Sequence, residues 1–123
     1  MPPRRRVHPA AGRAALAAWL SDPERAGRET TRAAVRFLLE ELATTVPGRA
    51  VEVRVPPYAA VQCVPGPRHT RGTPPNVIET DAQTWVELAT GRLSWADALS
   101  QARVTASGER ADLSPYLPIE PVA

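Results

Sequence analysis

The side chains in this sequence best equipped for covalent chemistry are Cys63 and His69, six positions apart. A thiol beside an imidazole is a recurrent nucleophile and base pair, provided a third group orients the ring. Here no orienting residue is evident, and Cys63 sits inside the apolar run Ala59 to Val64. A cysteine in such a run is expected to pack as a small inert hydrophobe. Ser94, Ser107 and Ser114 lie outside any nucleophile-elbow pattern, and no glycine spacing matches a phosphate-cradling loop. A single cysteine excludes an intramolecular disulfide and a cysteine metal cluster, and no carboxylates stand at spacings that would complete a zinc site around His8 or His69. A catalytic role, a metal and a cofactor are therefore not expected.

The second constellation is of a different kind. Arg68, His69, Thr70 and Arg71 crowd four donors into residues 65 to 75, a stretch stiffened by Pro65, Pro67, Pro74 and Pro75. Stiffness lowers the entropy lost on binding, and arginine grips carboxylate or phosphate with paired hydrogen bonds. Arg68, His69 and Arg71 are thus a candidate anion or head-group site. The other reading pairs these arginines with Glu79 or Asp81 on the protein itself.

The elements that must hold these residues follow from periodicity. Residues 1 to 9, with three prolines and Arg4-Arg5-Arg6, read as a flexible basic arm, and residues 10 to 123 as one domain. Ala15, Leu16, Trp19 and Leu20 recur at helical spacing up to Ser21-Asp22-Pro23. Val35, Leu38, Leu39, Leu42 and Val46 mark a longer helix over 29 to 45, with Arg32, Arg36, Glu40 and Glu41 on its other side. Val51, Val53 and Val55 then alternate with Glu52 and Arg54 as in a half-buried strand. Ala59 to Val64 is expected to return antiparallel to it, and Asn76 to Glu79 to form a third strand. Thr80 and Gln83 have the capping-box spacing for a helix that ends at Gly91. A short helix opened by Ser94 should turn Trp95, Ala98, Leu99 and Ala102 inward. A last strand at Val104 and Ala106 and a partly helical segment from Ala111 to Leu117 complete the chain.

Composition narrows the function classes. A chain of 123 residues holds one domain, which buries roughly two thirds of its unfolded surface. All 15 basic residues are arginine, yet the net charge is only +2, so the footprint of a nucleic-acid binder is missing. No apolar run approaches the roughly 20 residues of a membrane span, and stable membrane insertion is not expected. Cytoplasmic location is the default reading.

The order of elements, together with Asn76-Val77-Ile78-Glu79-Thr80-Asp81, Trp85 to Leu93, Trp95-Ala96-Asp97-Ala98 and Arg103-Val104 to Gly108, resembles the sterol carrier protein type-two family. Val51 to Pro57 and the Arg68 to Pro75 loop are similar to its compact bacterial branch. The resemblance spans about residues 10 to 118. It implies an α+β fold, a twisted, mostly antiparallel sheet of four to five strands with helices packed on one face, and an apolar pocket between the layers. It further implies non-catalytic binding of a lipid or fatty-acyl small molecule. Phe37, Leu38, Leu42, Val53, Val61, Trp85, Leu88, Leu99 and Leu117 would line that pocket. The other reading of these residues is an ordinary filled core, which would make the domain an accessory module for a protein partner. Where relatives commonly carry glycine before the basic residue of the last strand, this chain has Ala102.

Overall fold

The computed structural model describes residues 5–66 and 76–121. Of the stretch expected as an arm, Arg5 to His8 lie along the body of the protein. The backbone N–H groups of Arg6 and Val7 donate three hydrogen bonds of 3.0–3.1 Å to the Glu40 carboxylate, and Arg5 pairs with Glu41 at 2.7 Å. Glu40, expected on a solvated helix face, is buried because these amides replace water as its partners.

Helix α1 spans Pro9–Ser21, with proline in its first turn and the His8 ring accepting from Ala10 N–H at 3.2 Å. Leu16 and Trp19 face the core. Gly12 permits close approach to the next helix, since a Cβ there would lie 2.4 Å from Phe37 Cγ. After a 3-10 turn at Pro23–Arg25, α2 runs over Gly27–Thr45 and buries Val35, Phe37, Leu38, Leu39 and Leu42. It packs on α1 on one side and on the sheet on the other.

The sheet comprises β1 (Val51–Val55), β2 (Ala59–Cys63), β3 (Val77–Thr80) and β4 (Val104–Ser107). Among the described residues the order is β2-β1-β3-β4, so β2 and β4 are edges. The β1/β2 and β3/β4 pairs are antiparallel and β1/β3 is parallel. The register places Val51, Val53 and Val55 beside Cys63, Val61 and Ala59 on one face and beside Ile78 on β3. That face meets the helices. Glu52 and Arg54, paired with each other, take the opposite face with Gln62, Glu79 and Thr105, as period-2 alternation requires.

Helix α3 covers Ala82–Thr90. Its cap is Asp81 rather than Thr80: the Asp81 carboxylate accepts from Thr84 N–H at 2.8 Å, while Thr80 ends β3 and donates its hydroxyl to Arg103 C=O at 2.8 Å. Aspartate and threonine are both good caps, and the extra residue of strand pairing decides between them. Gly91 closes the helix in the left-handed region.

Helix α4, Trp95–Ser100, is capped by Ser94 and buries Trp95 and Ala98. Leu99 does not turn inward and is 45% exposed. Four residues after Trp95 the helix has advanced about 40° past it, away from Ala98, and a six-residue helix covers only a narrow stripe. Ala102 is likewise exposed, with φ +56. That conformation explains why glycine suits the position.

Ala102→Gly should therefore raise the urea midpoint, by roughly 0.5–1 kcal/mol of stability once the greater freedom of glycine in the unfolded chain is set against the relieved strain. A lowered midpoint would contradict strain at this turn.

Arg103, the basic residue of the last strand motif, ties β4 to α3. Its guanidinium donates to Glu87 at 2.6 Å and to the Thr84 hydroxyl at 3.2 Å. Asn76 makes a second tie between segments, donating to Ala50 C=O at 2.7 Å and accepting from Arg110 N–H at 2.9 Å. The chain closes through a 3-10 turn at Ser114–Tyr116, and Ile119 and Glu120 both donate to Ala89 C=O.

Candidate functional site

Six of the nine residues expected to line an interior pocket are brought together in the core. Phe37, Leu38, Leu42, Val53, Trp85 and Leu88 are fully buried and belong to one contiguous apolar cluster. Val61 and Leu117 are half-buried at its margin, and Leu99 is outside it. None of the six lines either of the open recesses described below.

The larger recess lies elsewhere, at the edge of the sheet. It is an open groove of about 1010 Å³ between α2 and β2, near the upper end of the size range of small-molecule sites. Leu39 and Ala43 of α2 and Ala59 and Val61 of β2 supply its apolar surface. Arg6, Arg36, Arg49, Glu40 and Gln62 supply polar groups. Pro47 and Gly48, where the chain leaves α2 for β1, also line it. A smaller recess of about 120 Å³ continues along α2 past Val7, Glu29, Arg32 and Ala33, sharing Arg6 and Arg36 with the groove.

Of the nine expected pocket residues only Val61 lines this groove. Apolar periodicity identified what is buried and could not show that a groove opens at the edge of the sheet. One signal was present in β2, where the small Ala59 stands on the face that meets the helices and leaves room beside them. The expected anion site at Arg68, His69 and Arg71 lies outside the described residues.

Cys63 ends β2 and is completely buried. Burial away from water pushes its thiol up to about 12 from an ordinary 9.0. At pH 8 only about one thiol in ten thousand is then ionised, and the thiolate is the reactive form. Native protein should resist iodoacetamide at this pH, whereas protein in denaturant should label at once, as mass spectrometry would report. Rapid labelling of the native state would contradict an inert thiol. The sign of the linkage also follows. The unfolded chain loses this proton near pH 9 and the folded chain near 12, so the thiol's contribution to stability is whole below pH 9 and is lost as pH rises towards 12.

Among the described residues no group of three or more His, Cys, Asp and Glu side chains could hold a metal ion, and no helix is long and apolar enough to cross a membrane. A family model described as bacterial SCP ortholog matches residues 27–119, from the start of α2 to beyond the second 3-10 turn. The chain belongs to this bacterial sterol carrier family. The sheet order, the Asp81 cap, the Gly91 helix exit and the Arg103 tie are thus the framework of a family member. Comparison with curated proteins returns no match.

Proposed function

We propose that the domain is a non-catalytic carrier that holds an acyl chain or similar apolar small molecule in the groove between α2 and β2. Family membership supports carriage in general. The observation that supports the location is the contrast between a centre of fully buried side chains and a groove of about 1010 Å³ opening between the same two layers at the sheet edge. Each methylene buried there contributes about 0.8 kcal/mol, with no bond made or broken. In this reading the exposed rim of Arg49 and Gln62 stays in water while the chain lies against Leu39, Ala43 and Val61.

Native mass spectrometry of the purified protein tests the proposal. A co-purifying acyl lipid is expected, and Val61→Trp, which fills the groove from β2, should remove it. Protein that carries no adduct, and gains none after incubation with acyl compounds, would overturn the carrier reading.

One observation favours a second reading. Strand β2 pairs only with β1 among the described residues, so one row of its backbone groups faces away from the sheet. An extended segment of a protein partner could add there as a fifth strand. The domain would then be an accessory module, and the adduct-free result above is its expected outcome.

A further inference from the structure

We infer that the groove contains an anion site, built from Arg36 with Arg6 and Arg49, that selects carboxylate- or phosphate-bearing ligands over uncharged ones. The inference deepens the carrier reading and rests on it for the apolar part of the ligand. The argument begins with charge balance. The groove is lined by three arginines and one acidic residue, Glu40. Glu40 is already engaged by the backbone N–H groups of Arg6 and Val7 at 3.0–3.1 Å. In the adjoining recess Glu29 pairs with Arg32 at 3.7 Å. Among the described residues none of Arg6, Arg36 and Arg49 has an ion-pair partner. The segments outside those residues, 1–4, 67–75 and 122–123, contain no Asp or Glu.

A second, independent observation concerns Arg36 itself. Its Nε is shut off from solvent and, among the described residues, has no hydrogen-bond acceptor. A buried N–H of a charged group without a partner is costly and uncommon in a folded protein. No solvent-sized atom reaches this Nε as it stands, so an acceptor meets it only when the guanidinium turns outward into the groove or the adjoining recess, both of which Arg36 lines. The guanidinium fork matches the geometry of a carboxylate or phosphate oxygen pair. Arg6 is held in place through its own backbone by Glu40, and Arg49 lines the groove directly after Pro47-Gly48. The ligand class that meets both the apolar lining and these three cations is a single-chain amphiphile with an acidic head.

Calorimetric titration of the full chain with dodecyl phosphate, dodecanoate, dodecanol and inorganic phosphate tests this. Either acidic amphiphile should bind at least tenfold more tightly than dodecanol, and the order of the two identifies phosphate or carboxylate as the better head. Arg36→Gln should weaken both acids about tenfold to a hundredfold, the range expected for a lost charge-assisted pair, while leaving dodecanol unchanged. Arg36→Lys should recover only part of the loss. The exposed Arg92→Gln is the control and should change nothing. If Arg36→Gln lowers the melting temperature, Arg49→Gln, at an exposed position, carries the same comparison. Equal affinity for dodecanol and dodecanoate overturns the anion site and leaves the carrier intact. Binding of inorganic phosphate that depends on Arg36, with no gain from a dodecyl chain, keeps the anion site and overturns the carrier.

Discussion

Gly48→Ala should remove a large part of the protein's folding stability. Gly48 has φ +152, and a Cβ there would stand 2.1 Å from the carbonyl oxygen of Val64 and 2.3 Å from its carbon. No side-chain rotation relieves a clash with backbone. The opposing segment is fixed from both sides, because Val64 N–H donates to Val46 C=O at 2.9 Å and Val64 C=O accepts from Ala50 N–H at 3.0 Å. These bonds join the exit of α2 to the exit of β2. Moving Val64 away breaks them, and the alanine keeps a backbone conformation that side chains rarely adopt. Strain of about 1–3 kcal/mol and two disrupted hydrogen bonds at about 1–3 kcal/mol each give a cost of roughly 3–9 kcal/mol. Domains of this size are stable by about 5–15 kcal/mol. Circular dichroism in a urea series would show the loss, and a midpoint within a few tenths molar of the parent would contradict the close approach.

Trp85→Ala should cost about 3–5 kcal/mol, the usual range for removing a large aromatic from a packed interior. Trp85 is the largest fully buried side chain, and its indole N–H reaches Val35 C=O at 3.3 Å, joining α3 to α2. The size of the effect separates a filled core from a lined pocket. If Trp85 bordered an internal cavity, neighbours would already lack contacts on one side, and truncation would cost well under 2 kcal/mol. A loss in the larger range also predicts that Trp85→Ala acquires an apolar void able to take up a small aromatic such as benzene, as engineered apolar cavities do. Chemical denaturation in the presence and absence of benzene measures both effects. A small cost with no added stabilisation would contradict the packed centre.

The fold was legible because its inner face is written in two simple periods. Val51, Val53 and Val55 alternate in a way that only a one-sided strand explains, and Leu38, Leu39 and Leu42 repeat as only a helix buried on one side does. Ser94 and Gly91 announced the helix boundaries they form. Thr80 misled because capping boxes and strand ends use the same residue types, and only pairing with β4 distinguishes them. Leu99 misled because three-and-four spacing does not say how wide a stripe a six-residue helix buries. Glu40 was unreadable for another reason. Its partners are backbone amides 33 and 34 residues away, and a backbone amide has no sequence signature.

The residue types of the proposed site were legible in the sequence, and the place of the groove at the sheet edge was not. Apolar residues for a chain and arginines for a head group were both visible in the sequence, yet the groove draws on Leu39, Ala43, Arg36 and Arg49 instead of Trp85, Leu88 and Phe37. Whether a core is solid or hollow depends on how side-chain volumes sum against the distance between layers, and hydropathy is blind to volume. The edge position of β2 depends in turn on strand order, which a long connection between β2 and β3 leaves undetermined by local pattern.

The central claim is that an acyl ligand lies at the sheet edge and leaves the centre undisturbed. Amide and indole chemical shifts of the isotope-labelled chain, followed through a titration with dodecanoate, test it most directly. The account predicts saturable changes at Leu39, Ala43 and Ala59 to Gln62, with the Trp85 indole, Phe37 and Leu88 unmoved. Changes centred on Trp85, Phe37 and Leu88 would place the ligand inside the core, and a spectrum unchanged at millimolar dodecanoate would contradict ligand carriage altogether.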